Sequence, residues 1–309
     1  MSQSVSAPAK VILFGEHAVV YGQPAIAVPI SSLRAFATIE ESEYPLKIVA
    51  ENLGDRHITL DSDDPLAITA RLTLDALQAE IPNGTIRVRS QIPIASGLGS
   101  GAAVSSAIVR AVCTLVGKII ALEEINRIVY EVDRIHHVTP SGIDNTVIVY
   151  EQAVYFVREQ PLERIMNAEA FTLIIADTGK TALTRVAVSD VADLLRSDPE
   201  LIEPIIQEIG EIVKHARIAI EAGDIEVIGH LMDQNHTLLQ QLSVSSIELD
   251  RLVIAAKNAG AWGAKLSGGG RGGNMIALVS SDSAKTVADA LTEAGAIRVF
   301  TTAIERTKL

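Results

Sequence analysis

The segment from Pro93 to Ala107, Pro-Ile-Ala-Ser-Gly-Leu-Gly-Ser-Gly-Ala-Ala-Val-Ser-Ser-Ala, constrains this chain more than any other. Before it, the alternation of Ile86, Val88, Ser90 and Ile92 reads as a half-buried strand. Past Gly101 an apolar-rich stretch runs to Val116 and stops at Gly117, as a buried helix with a glycine end does. A strand, then Gly97, Gly99 and Gly101, then a helix start is a device for holding phosphate. Glycines let the backbone approach an anion, and the unpaired N–H groups of the first helical turn face it with the positive end of the helix dipole. Glycine-rich turns of this kind also arise for packing reasons, so both readings stand at this point.

Composition excludes several classes of function. A chain of 309 residues is long enough for two domains with substantial cores. Its 48% hydrophobic content with 4% aromatics describes a soluble protein packed on Ile, Val, Leu and Ala. A net charge of −12 leaves no basic field for nucleic acid or an acidic membrane, so any phosphate site must be local. Cys113 is the single cysteine, which rules out an intrachain disulfide and a cysteine-rich metal cluster. It falls within the expected buried helix and reads as a core thiol. No window offers the ~18 apolar residues of a membrane span, and the N-terminus lacks the pattern of a signal peptide, so a cytoplasmic location is expected.

Two strands joined by a turn fit the first thirty residues, with Val11–Phe14 and Ala25–Ile30 as their apolar runs. Asp64-Pro65 is a helix start, and that helix stops before Pro82. A second helix fits Leu122–His137, with Ile125, Ile128, Val129, Val132 and Ile135 as its stripe. Residues 145–157 read as strands. Phe171–Ala176 reads as a buried strand, Asp198-Pro199 opens a long helix ended by Gly223, and helices fit 224–242 and 246–259. Lys265–Ser281 reads as a glycine-rich loop plus the strand Met275–Val279, with Ile297–Thr302 as the last strand. The expected domains are 1–165 and 166–309.

Several residues carry possible chemistry. Lys10 precedes an apolar run, and a lone lysine there is ordinarily an edge-protecting charge. Here Gly15, Glu16 and His17 follow closely, which favours a site. In Thr139-Pro-Ser-Gly-Ile-Asp-Asn145, Asp144 is either a turn carboxylate or a base held in a tight loop. Asp133 is either a solvated charge or a magnesium ligand. Ser267–Asn274 is a second glycine-rich loop, too rich in glycine for packing alone.

Three segments in this order resemble the three motifs of the GHMP kinase superfamily: 7–22, Ala-Pro-Ala-Lys-Val-Ile-Leu-Phe-Gly-Glu-His-Ala-Val-Val-Tyr-Gly, the loop at 93–104 and the loop at 266–274. The form of the first segment, together with Asn235–Ser246, is most similar to the family members that phosphorylate mevalonate. The resemblance implies an α+β, two-domain GHMP kinase fold, with an N-terminal unit like ribosomal protein S5 domain 2 and a ferredoxin-like C-terminal unit. It implies ATP-dependent transfer to mevalonate with Mg²⁺ in isoprenoid precursor synthesis, small-molecule partners only, and a homodimer as a frequent assembly. The alternatives are another small alcohol, such as phosphomevalonate or homoserine, and a non-catalytic ligand sensor. That last reading expects loss of Lys10 or Asp144, and both are present.

Residue by residue, the resemblance makes Lys10 and Asp144 the catalytic pair. It places Pro93, Ala95, Ser96, Gly97, Leu98, Gly99, Ser100, Gly101 and Ala102 around the ATP phosphates. Glu16, His17 and Thr184 would contact the alcohol, and Ser100 and Asp133 would hold the metal. Positioning and electrostatics of this kind suit phosphoryl transfer. The chain departs from the family in three places. Gly101 stands where a second loop serine is usual, Asp133 replaces a glutamate, and Arg271 replaces a glycine.

Overall fold

The computed structural model describes residues 3–93, 96–136, 142–161, 163–181 and 184–307. Two compact units are interleaved along the chain. Met1–Lys10, Leu33–Ile94 and Gly99–Glu151 make the first; Val11–Ser32, Ala95–Leu98 and Gln152–Leu309 make the second.

The chain opens with strands β1 (Gln3–Phe14), β2 (Ala25–Pro45), β3 (Lys47–Ala50) and β4 (Arg56–Thr59), then helix α1 (Pro65–Leu77) and strand β5 (Asn83–Ser90). Helices α2 (Ser100–Val116), α3 (Leu122–His136) and α4 (Ile143–Tyr150) complete the first unit. There β5 lies between β3, to which it is parallel, and the Ala35–Glu40 part of β2, to which it is antiparallel. Helix α2 packs against α1, α3, α4 and β5. The boundaries follow local chemistry. Asp64 accepts the Leu66 N–H at 2.9 Å ahead of Pro65, and Gly117 closes α2 in the left-handed conformation, φ 70°.

Sequence and structure differ in particulars. Residues 145–150, expected as a strand, belong to helix α4, and only Val154–Phe156 of that stretch is strand, β6. A short, fully buried apolar run carries no period, so Thr146–Val149 suits either element, and tertiary packing on α2 and α3 decides. Ile135 is exposed rather than part of the α3 stripe, and Cys113 is half-buried rather than a core thiol. Burial still pushes that thiol up, which makes it a poor nucleophile. His137 and Thr139–Ser141 lie outside the described residues.

The second unit contains the Ala25–Ala27 part of β2, paired with β6, and β7 (Glu163–Arg164) beside β6. It continues with β8 (Phe171–Asp177), α5 (Thr184–Ser197), α6 (Pro199–Ala222), α7 (Ile225–Gln241), α8 (Ile247–Asn258), β9 (Gly263–Ser267), β10 (Asn274–Val279), α9 (Ala284–Glu293) and β11 (Arg298–Ile304). The last four strands form an antiparallel sheet in the order β11-β8-β10-β9. With helices between β8 and β9 and between β10 and β11, this is the expected ferredoxin-like arrangement. Among the described residues, no helix is long and apolar enough to cross a membrane.

Helix α7 lies directly on β9 through paired glycines. A Cβ on Gly263 would stand 2.0 Å from the Gly229 carbonyl oxygen. This close approach fixes the residues further along α7 relative to the strand. Gly263→Ala should therefore destabilise the protein by at least about 1–3 kcal/mol in urea unfolding, as overpacking does. A change within about 0.5 kcal/mol would mean that the helix slides on the strand at no cost.

Candidate active site

The first unit brings Lys10 and Asp144 together. The ammonium Nζ lies 2.9 Å from Asp144 Oδ1. Lys10 is buried while the Asp144 side chain is 33% exposed, so one face of the carboxylate stays open to a ligand. An edge-protecting lysine would face solvent; this one does not. Asp144 sits in the first turn of α4, which begins after Gly142 at φ 85°. The left-handed glycine turns the chain sharply into the helix and aims the carboxylate at β1.

Gly99 ties the glycine-rich loop to the same pair. It precedes α2 with φ 75°, and a Cβ there would lie 3.1 Å from Lys10 Cγ and 2.7 Å from Ile148 Cδ1. Only glycine allows this approach, so α2 begins beside the lysine. The first α-helical bond of α2 is Ala103 N–H to Gly99 O at 3.0 Å, and no side chain caps the helix. The amides of Ser100, Gly101 and Ala102 thus have no intrahelical carbonyl, and they carry the positive end of the dipole. Ala102 is buried, Ser100 half-buried and Gly101 exposed. Asp133 is half-buried on α3, which packs on α2. No cluster of three or more His, Cys, Asp or Glu suited to a metal occurs among the described residues.

The second unit organises the residues around Glu16. Glu16 and Lys265 form an ion pair with both side chains fully out of solvent. Lys265 Nζ also donates to the Leu266 carbonyl at 2.6 Å, whereas Glu16 Oε2 has no hydrogen-bond partner. Burial raises the Glu16 carboxyl and lowers the Lys265 ammonium, and each is opposed by the other's charge. Removing either partner alone would leave a buried charge uncompensated, at about 3–5 kcal/mol.

His17 follows with φ 60°, a strained backbone for a non-glycine residue. Its Nε2 lies 3.1 Å from the Gly269 carbonyl, an acceptor, so Nε2 carries the proton. Nδ1 is then a buried acceptor, and it has no partner. Burial lowers the His17 pKa to about 4, aided by the positive charges of Arg271 and Lys265. Asn235 of α7 accepts the Gly15 N–H at 3.4 Å, and His236 accepts the Leu266 N–H at 3.3 Å while its Nε2 lies 3.1 Å from Asp250 Oδ1. Thr184 opens α5 and is itself exposed, but a Cβ on Gly269 would fall 2.6 Å from its hydroxyl oxygen. Thr184, His17 and Gly269 are therefore neighbours.

The rest of the glycine-rich loop divides between the units. Ser96 and Leu98 are buried in the second, Gly97 is exposed at φ 79°, and the Ser96 carbonyl accepts from Asn274 Nδ2. Pro93 is buried, and Ala95 lies outside the described residues. Sequence reasoning missed Lys265, Asn235, His236 and Asn274 as parts of the site. The visible signal for Lys265 was a lone charge within Gly-Ala-Lys-Leu-Ser; its partner is 249 positions away.

A lysine–aspartate pair with the lysine buried and the carboxylate partly open, beside a helix start that no side chain caps, is an arrangement suited to phosphoryl transfer on a two-domain α+β fold. The chain belongs to the GHMP kinase family. The GHMP kinases N terminal domain matches residues 66–152 and the GHMP kinases C terminal domain matches 216–297. Over 96% of its length the chain is 36% identical to mevalonate kinase of Thermococcus gammatolerans, covering 94% of that protein. The crystal structure of L. major mevalonate kinase in complex with R-mevalonate superposes with a TM-score of 0.88 at 28% identity, over 99% of this chain and 97% of that one. Methanococcus jannaschii mevalonate kinase gives 0.87 at 28% identity, over 99% of both chains.

Asp144→Asn should lower kcat by roughly 10²–10⁴ while leaving ATP binding and the fold intact, and Lys10→Met should be similarly severe. Steady-state turnover above about a tenth of wild type in either variant would contradict a catalytic pair. His17 also makes a pH prediction. Its folded pKa of about 4 lies below the ordinary 6.5, so the unfolded chain binds more protons between these values. The associated stability, up to about 3 kcal/mol, is present above pH 6.5 and lost as the pH falls towards 4. His17→Gln should flatten unfolding free energy against pH in that window, and an unchanged slope would count against a neutral, buried His17.

Proposed function

We propose that this chain is an ATP-dependent kinase that phosphorylates mevalonate on its terminal hydroxyl, producing 5-phosphomevalonate and ADP for isoprenoid precursor synthesis. The observation that carries the reading is the Lys10–Asp144 pair, 2.9 Å apart and set against the first turn of α2. Phosphoryl transfer asks a protein for positioning and for charge, and little else. Asp144 accepts the proton of the attacking hydroxyl. Lys10 orients that carboxylate and stabilises negative charge on the transferring group. The amides of 100–102 receive phosphate oxygens, with Gly97 and Gly99 allowing the backbone to come close.

Mg²⁺ suits this donor set. It takes oxygen ligands, commonly one or two carboxylates with substrate phosphates and waters. Asp133 and the Ser100 hydroxyl would hold it, and Gly101 contributes no side chain. When bound, the ion neutralises charge on the phosphate oxygens.

The alcohol side rests on His17, Glu16 and Thr184. Neutral His17 with Nε2–H committed to Gly269 offers Nδ1 as a hydrogen-bond acceptor, suited to a substrate hydroxyl. Glu16 is held in place by its buried pair with Lys265, and Thr184 offers an exposed hydroxyl beside Gly269. Phosphomevalonate would bring about 1.5–2 further negative charges, and the two cations that act on His17, Lys265 and Arg271, are each paired with a carboxylate, Glu16 and Asp190.

The test is ADP release by purified protein with ATP, Mg²⁺ and a panel of alcohols. Mevalonate should be used with kcat/KM at least tenfold above phosphomevalonate or homoserine. Activity with phosphomevalonate and none with mevalonate would overturn the substrate while keeping the kinase.

A further inference from the structure

Arg271 occupies a glycine's place. Its backbone is left-handed, φ 57°, in the middle of the loop between β9 and β10, where glycines hold the other positive-φ positions, Gly268, Gly270, Gly272 and Gly273. A non-glycine residue there is strained, and its side chain shows what the strain secures. The guanidinium pairs through NH1 with Asp190 of α5 and donates from Nε to the Ser243 carbonyl at 3.2 Å. The Arg271 N–H donates to the Val244 carbonyl at 2.8 Å. One residue therefore joins the loop to α5 and to the turn that follows α7.

Helix α5 begins at Thr184, which packs on Gly269, and Gly269 in turn accepts the His17 ring N–H. The two half-exposed members of the pair, Arg271 and Asp190, sit at the end of a short chain of contacts leading to the alcohol side of the site. The loop has no slack with which to compensate. A Cβ on Gly270 would lie 1.9 Å from the Val244 carbonyl oxygen, and one on Gly272 would lie 2.8 Å from the Lys180 carbonyl oxygen.

We infer that Arg271 is a positioning residue for the alcohol substrate: by holding α5 against the β9–β10 loop it sets Thr184 and His17 in the arrangement that mevalonate recognition requires. This rests on the reading of the protein as a mevalonate kinase. The residue does not touch the reacting atoms; it acts through the two that face the alcohol.

Arg271→Gly tests this, because glycine keeps the left-handed backbone without strain and the fold should survive. The variant should raise KM for mevalonate about tenfold while KM for ATP stays within about twofold and kcat within about threefold. Asp190→Asn should produce a similar, smaller rise, and the double variant should be no worse than Arg271→Gly alone, since both remove one interaction. Loss of the nearby positive charge should also move the acid limb of kcat/KM for mevalonate to higher pH, as His17 becomes easier to protonate. An unchanged KM for mevalonate in a wild type that does use mevalonate would overturn the inference alone. So would equal losses for ATP and mevalonate, which mark general loosening. A wild type inactive on mevalonate and active on another alcohol would instead overturn the substrate reading beneath it.

Discussion

Glu16 and Lys265 hold opposite charges where no water reaches them, and much of the second unit is arranged around that fact. Neither group survives burial alone; each is tolerated because the other is present. The pair fastens the turn after β1 to strand β9. The Ser267 hydroxyl adds a bond to the Ile12 carbonyl at 2.9 Å, and Asn235 and His236 of α7 reach the Gly15 and Leu266 amides on either side. The strained backbone of His17 is stable in this setting because its neighbours leave it nowhere else to go. A pair of apolar residues could fill the space as well, but would not orient the turn, and orientation is what a binding group needs.

The first unit solves a different problem. Lys10 is buried and lies close to a helix start whose dipole is itself positive. The Asp144 carboxylate pairs with it at 2.9 Å, and that side chain stays partly exposed. Gly99 makes this geometry possible by removing the atom that would separate α2 from the lysine. One missing side chain thus brings the start of α2 and the Lys10–Asp144 pair together.

Features that depend on near neighbours were legible in the sequence. Asp64-Pro65, Gly117 and Asp198-Pro199 mark helix ends because capping is local, and the glycine loop stood out by composition. The Lys10–Asp144 and His17 assignments came through resemblance to a family, since spacing alone left an edge lysine and a turn aspartate as equal readings. What escaped was non-local. Residues 145–150 form a helix because of what packs on them, and Lys265 reads as a loop charge until Glu16 is placed beside it. The sequence also suggests a single cut between 165 and 166, whereas the compact units interleave, with Val11–Ser32 grouped among later residues.

Transfer of the ATP γ-phosphoryl group to one hydroxyl of mevalonate is the reaction proposed for this chain. Phosphorus NMR of the product mixture from ATP, Mg²⁺ and R-mevalonate addresses it without relying on coupled enzymes. One new phosphomonoester resonance, coupled to the protons of the terminal methylene, should grow in step with ADP. ADP accumulating with inorganic phosphate as the only other product, or a phosphoryl group on the tertiary hydroxyl, would contradict it.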